Sequence, residues 1–239
     1  MIYVLSDIHG NEERFDSIMK QIDLQSEDSL YILGDVIDRY SCGIRILRKI
    51  MSMPNVKMLL GNHEYMMLRA LGHPYDPCDP TGEVIQEAAV AHWYRNGGKV
   101  THDHWKRIRK SLRQEILQYL LELPVNIDVE VNGRSYKLVH GAPMDEYVNH
   151  PETPSPIHFA VWKRWQSHET FSGDFTMIFG HTPTRYYQDA VPMKLWYGDR
   201  MIGIDCGCGY PPDSPEGRLA CLRLDDGKVF YSGEGGYDH

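Results

Sequence analysis

The 239-residue chain has no apolar run approaching the roughly 20 residues of a membrane-spanning helix, so no membrane role is expected. Its opening, "MIYVLSDIHG", carries neither a basic n-region nor a long apolar core, and the expectation is a cytoplasmic protein without a signal peptide. Basic residues are in deficit. The chain has 25 Lys and Arg against 33 Asp and Glu, a formal net charge of -8. That balance argues against nucleic-acid binding, which normally needs a basic face. It leaves phosphate substrates open, because bound metal ions supply positive charge locally. Cysteine is scarce and odd in number: Cys42, Cys78, Cys206, Cys208 and Cys221. Reduced thiols are expected, with no disulfide framework. Cys206 and Cys208 are flanked by glycines and lack a second pair, so they mark a tight loop rather than a metal site. Repeats and low-complexity tracts are absent too.

What remains is ordinary globular composition, 42% hydrophobic and 24% charged, in a length that suits one large α/β domain or two small ones. The first third alternates. "IYVLS" (2–6), "SLYILG" (29–34) and "VKMLLG" (56–61) read as strands, and "EERFDSIMKQI" (12–22) and "GIRILRKIMSM" (43–53) as helices. A β-α-β-α-β pattern predicts a parallel sheet, with ligands at the carboxyl ends of its strands. Residues 71–122 break the rhythm. A turn-rich loop (73–82) and two helices near 83–95 and 104–121 predict a helical insertion over the strand ends, within a single domain of residues 1–239. Two strands then turn at Asn132-Gly133 (126–141), a helix is expected near 157–167, and a strand at 175–180. A last hairpin turns at Asp226-Gly227 (218–232). The fold expected is mixed α/β, two β-sheets packed together.

Five polar clusters follow apolar segments: "SDIHG" (Asp7, His9), "GDVIDR" (Asp35, Asp38, Arg39), "GNHE" (Asn62, His63), "LVHG" (His140) and "FGHT" (His181). Each has a bland explanation. Asn and Gly are turn residues, Asp35 or Asp38 could cap a helix, and a lone histidine is more often a core residue than a ligand. Together these explanations fail, since the sheet would gather all five at one rim. Carboxylate, imidazole and amide without thiolate suit manganese, iron or zinc. So many donors exceed one ion's needs and suit two ions about 3.5–4 Å apart, with Asp35 on the middle strand as the bridge.

These motifs, D-x-H, G-D-x-x-D-R, G-N-H-E and two later histidines in order, resemble the calcineurin-like metallophosphoesterase superfamily. Within it they resemble the serine/threonine phosphoprotein phosphatases of the bacterial and bacteriophage-lambda type. "WYRNGGKVT" (93–101) and "WKR" (162–164) also look like elements of the bacterial members. The resemblance implies a four-layer αββα sandwich of two mixed β-sheets flanked by helices. It implies two divalent metal ions, Asp7, His9 and Asp35 on one and Asp35, Asn62, His140 and His181 on the other. A metal-bridging hydroxide would attack phosphorus in line, with His63 protonating the departing oxygen and Asp38 orienting it. Arg39, Arg164, Asn62 and His63 would contact the phosphoryl group. The implied partner is a phosphorylated protein or a small phosphate ester or anhydride, with phosphoserine and phosphothreonine as the leading substrates.

Two departures bear on specificity: Tyr40 replaces the usual glycine after G-D-x-x-D-R, and "VHGAP" differs from the commoner H-A-G. The nearest rival is a symmetrical diadenosine tetraphosphate hydrolase. That family tends to lack the second aspartate of G-D-x-x-D-R and to carry G-N-H-D, so Asp38 and Glu64 favour the phosphatase. A non-catalytic scaffold is the more distant rival, since every ligand and His63 are present. Packing is the expected role of Trp93 and Trp105, and shaping the "IDCG" loop that of Asp205.

Overall fold

The computed structural model describes residues 1–73, 86–211 and 213–233. The first sheet has the order β10-β9-β1-β2-β3. Strands β1 (Ile2–Leu5), β2 (Ser29–Ile32) and β3 (Val56–Met58) run parallel, joined by helices α1 (Glu12–Ile22) and α2 (Gly43–Met51). Hairpin β9 (Ala220–Arg223) and β10 (Val229–Tyr231) adds antiparallel to the free edge of β1. The second sheet has the order β4-β5-β6-β8-β7. Hairpin β4 (Asn126–Val131) and β5 (Arg134–Val139) leads to parallel β6 (Thr176–Phe179) and β8 (Met201–Gly203), with β7 (Trp196–Gly198) antiparallel at the edge.

Side chains alternate across each strand, and that alternation builds the layers. Val4, Leu33, Leu138, Ile178 and Leu222 meet between the sheets. Tyr3, Leu5 and Ile32 face the other way, against Phe15 and Ile18 of α1 and Ile44 and Leu47 of α2. Helix α1 begins cleanly because the Asn11 side chain accepts the Arg14 amide (3.2 Å), with Glu12 and Glu13 in its first turn favouring the dipole. Fully burying Phe15 contributes about 1.5–3 kcal/mol to this packing. On the outer face of the second sheet, Val139, Met177 and Phe179 pack on Phe159 and Trp165. The four-layer arrangement is the one expected.

Helices differ from expectation in three places. Asn62 opens α3 (Asn62–Ala70) directly after the third strand, a helix that periodicity does not reveal because eight of its nine residues are buried. Among the described residues of the expected insertion (71–122) there are three helices: α4 (Gln86–Arg95), α5 (Lys99–Trp105) and α6 (Lys110–Leu121). They break at Gly97, whose φ is +93°, and at the extended Arg109. Trp93, Trp105, Ile116 and Leu120 join the same core as α1 and α2. The turn-rich stretch expected at 73–82 lies from residue 74 on outside the described residues, as does Cys78. Helix α7 (Pro156–Trp162) stops five residues short of the expected 167, because Lys163 turns extended at ψ 131°. Among the described residues, no helix is long and apolar enough to cross a membrane.

Candidate metal centre

Register places the carboxyl ends of β1, β2 and β3 side by side, Leu5 opposite Ile32 and Ile32 opposite Met58. In the second sheet, Val139 lies opposite Phe179 and Phe179 opposite Gly203. The segments leaving these ends, loops and the start of α3, carry Asp7, His9, Asp35, Asp38, Asn62, His63, His140 and His181, all buried. Nine non-glycine residues among those described have positive φ, and six belong here: Asp7 (55°), His9 (51°), Asp35 (56°), Asp38 (73°), Arg39 (65°) and His181 (60°). Left-handed backbone at such residues costs on the order of 1 kcal/mol or more each and concentrates at functional sites.

Glu64 holds the loop that follows β2. Its Oε2 accepts the amides of Asp35 (2.9 Å) and Gly61 (3.2 Å), and its Oε1 those of Val36 (2.9 Å) and Ile37 (3.3 Å). Burial and the Asp35 charge push its pKa up to about 7, against the pull of these amides. Gly61 is dictated by close approach, since a Cβ there would lie 2.2 Å from Asp35 Oδ1. At Gly180 a Cβ would lie 2.4 Å from Asp7 Oδ2.

Two donor groups emerge around Asp35. His9, Asp35 and His63 place ligand-type atoms within 4.8 Å of one another, and so do Asp35, His140 and His181. Asp35 Oδ2 lies 3.7 Å from His9 Nε2 and 3.8 Å from His63 Nε2, while its Oδ1 lies 3.5 Å from His140 Nε2. Asp7 Oδ1 is 3.8 Å from His9 Nε2. His9 Nδ1 donates to the Ile37 carbonyl (3.2 Å) and His140 Nδ1 to the Leu33 carbonyl (2.6 Å). Each Nε2 is thereby left as a lone pair aimed inward. Asn62 Oδ1 sits 2.9 Å from both His140 Nε2 and His181 Nδ1.

The electrostatics fit cations. Burial, followed by Arg39 at His9 and by His140 at His181, drives both imidazoles well below their ordinary pKa, into the neutral form that ligates. Burial raises Asp7, whereas at Asp35 His140 and His63 outweigh burial and lower it. Carboxylates and inward lone pairs crowded in a buried space are the donor set of divalent metal ions, and the residues fit such ions.

His63 differs from the other histidines. Its Nδ1 donates to Asp38 Oδ2 at 2.6 Å, and although burial opposes its charge, Asp35 and Asp38 raise its pKa. Arg39 and Arg164 are exposed at the rim. Arg164 lies beyond the end of α7 rather than on a helix face, and its charge reaches His181. Trp165 is buried, its indole N–H donating to the Gly141 carbonyl (3.0 Å). The Tyr40 hydroxyl donates to the Tyr210 carbonyl, tying two loops together. Asp205 is buried and accepts the Gly207 amide (2.9 Å), within the loop that carries Cys206 and Cys208. Those two thiols point apart, Cys208 towards the Ile8 carbonyl and Cys206 towards Thr184. In the sequence Glu64 stands only as a family marker and Trp93 as a packing residue, whereas the structure ties Glu64 to the Asp35 loop and Trp93 to Asp38. The motif "WYRNGGKVT" was the available signal for Trp93, and its contacts appear only in three dimensions.

Residues 1–201 match the calcineurin-like phosphoesterase family, and the chain belongs to it. A symmetrical bis(5'-nucleosyl)-tetraphosphatase from Delftia acidovorans is 35% identical, over 84% of this chain and 63% of its own length. Another, from Salmonella arizonae, is 25% identical over 95% of this chain and 93% of its own. A metallophosphoesterase from Sphaerobacter thermophilus shares the fold at a TM-score of 0.54, with 18% identity over 96% of this chain and 86% of that one. The superfamily expected from the motifs is therefore the right one. The named sequence relatives are dinucleotide hydrolases and do not support the narrower protein-phosphatase assignment.

Proposed function

We propose that the chain hydrolyses phosphate anhydrides or esters at a centre of two divalent ions, with dinucleoside polyphosphates as its substrate class. The chemistry rests on one observation: Asp35 belongs to both donor groups. The substrate class rests on the named relatives. Asp7, His9 and Asp35 would hold one ion, and Asp35, Asn62, His140 and His181 the other. Manganese, iron and zinc all suit this donor set. Bound there, the ions supply Lewis acidity at the phosphoryl oxygens and lower the pKa of water towards neutrality.

The chain's own groups do the rest. His63 presents its Nε2 proton to the departing oxygen while Asp38 holds Nδ1. Its raised pKa suits an acid better than a ligand, although its Nε2 lies as close to Asp35 as a ligand would. Arg39, with no ion pair among the described residues, and Arg164 would bind the outer phosphate oxygens, whose negative charge grows in the transition state. Asn62 and His63, side by side at the start of α3, would contact the same group.

A phosphomonoester reading is favoured by the His63–Asp38 pair itself. A general acid matters most for a poor alkoxide leaving group such as that of phosphoserine, and less for a nucleotide that departs readily. The deciding experiment compares kcat/KM of the manganese-loaded protein on diadenosine tetraphosphate and on a phosphoserine peptide. The proposal expects the dinucleotide to win clearly. Preference for the peptide would refute the substrate class while keeping the chemistry, and bound metal with no turnover of either would leave a scaffold.

A further inference from the structure

The corner between α4 and α5 reaches the acid pair directly. Trp93 is fully buried, and its indole N–H donates to Asp38 Oδ2 at 2.8 Å. The same oxygen receives the His63 Nδ1 proton at 2.6 Å. Around this junction the Asp38 amide donates to the Thr101 hydroxyl (3.0 Å), and the Arg39 amide donates to the Gly97 carbonyl (3.2 Å). The chain folds tightly over the indole because residue 98 is glycine, where a Cβ would lie 2.3 Å from the ring. Asp38 Oδ1, by contrast, is buried with no hydrogen-bond partner among the described residues.

We propose that Trp93 is a positioning residue for the general acid: it selects which Asp38 oxygen faces His63 and so fixes where the His63 Nε2 proton points. The two oxygens of a carboxylate are chemically equivalent and exchange by rotation about χ2. Here only Oδ2 is pinned, and Trp93 supplies the second pin. An indole N–H is a donor that accepts nothing, so it cannot compete for the proton. Two donors on one oxygen keep that oxygen an acceptor and leave the proton on the imidazole. Without the indole, the carboxylate swings and the ring it orients swings with it, while the metal ligands on the strand side stay in place.

This inference rests on the reading of the chain as a phosphoesterase with His63 as its acid, and the test separates the two. Trp93→Phe keeps the ring and removes the N–H. The manganese-loaded protein and the variant are assayed on phenyl phosphate, whose leaving group needs a proton, and on 4-nitrophenyl phosphate, whose leaving group does not. Losing a hydrogen bond to a charged group should lower kcat on phenyl phosphate about tenfold. Turnover of 4-nitrophenyl phosphate, KM and bound metal should change little. The ratio of the two rates within one preparation is independent of the fraction that folds. In a His63→Asn background, Trp93→Phe should add nothing. An equal loss on both substrates, no loss on either, or a full additional loss on top of His63→Asn would overturn the inference. Wild-type protein that turns over neither ester but hydrolyses diadenosine tetraphosphate would overturn this inference alone, and protein that hydrolyses none of the three would overturn the phosphoesterase reading along with it.

Discussion

On the strand side of the site, six residues hold left-handed backbone, and five of them, Asp7, His9, Asp35, Asp38 and His181, also bury ligand-type side chains. On the helix side, α4, α5 and the Gly97 corner between them reach the same site, touching it with an indole, a hydroxyl and a carbonyl. The two sides solve different problems. Donor directions around an ion must be fixed closely, and short loops at strand ends achieve that with strain that Glu64 and the close-packed glycines sustain. Orienting one proton donor needs only a rigid partner at the correct distance, which a buried helix corner supplies. Damage on the strand side should therefore remove metal, and damage on the helix side should slow turnover of metal-loaded protein.

The largest expected effect is that of Asp35→Asn, which removes the carboxylate common to both donor groups. Activity should be abolished at any manganese concentration, as a steady-state assay across a metal titration would show. His63→Asn comes next. Turnover of phenyl phosphate, whose leaving group is poor, should fall about 10²–10⁴-fold, the usual contribution of general acid–base catalysis, with metal content intact. Unchanged turnover would contradict its role as the acid.

Glu64→Gln tests the support beneath the strand-side loops. The amide keeps the shape, but its NH₂ group would face amides that now donate to Oε1 or Oε2. Leaving buried donors unpaired should cost about 1–3 kcal/mol, read as a lowered midpoint in denaturant titration. Metal affinity should also fall about 10–100-fold, the typical effect of losing an outer partner of a ligand. Trp93→Phe should be the mildest of the four, confined to substrates with poor leaving groups. If it also released metal, the distinction between the two sides would not stand.

Much of the strand side is legible in sequence, because β-α-β-α-β alternation and the rule that ligands sit at strand ends fix its placement. Asn132-Gly133 and Asp226-Gly227 mark hairpins through turn chemistry that is local by nature. Other features have no such signature. Helix α3 is buried nearly all round and shows no amphipathic period. Strands β7 and β8 are three residues each, too short to alternate visibly. Trp162 and Trp165 have helical spacing, yet the chain leaves the helix between them. The Trp93–Asp38 contact spans 55 residues, and no local pattern encodes it. Substrate class was legible least of all. The same metal ligands serve esters and anhydrides, and the protein phosphatase that Asp38 and Glu64 favour in sequence is not what the relatives are named.

The most direct test of the account is the ratio of bound manganese to protein, measured after dialysis for the wild-type chain and for Asp35→Asn. Two ions per wild-type chain, with at least one lost from the variant, is the result expected of a carboxylate shared by both sites. A variant that still holds both ions would contradict the shared Asp35 and the two-ion centre built on it.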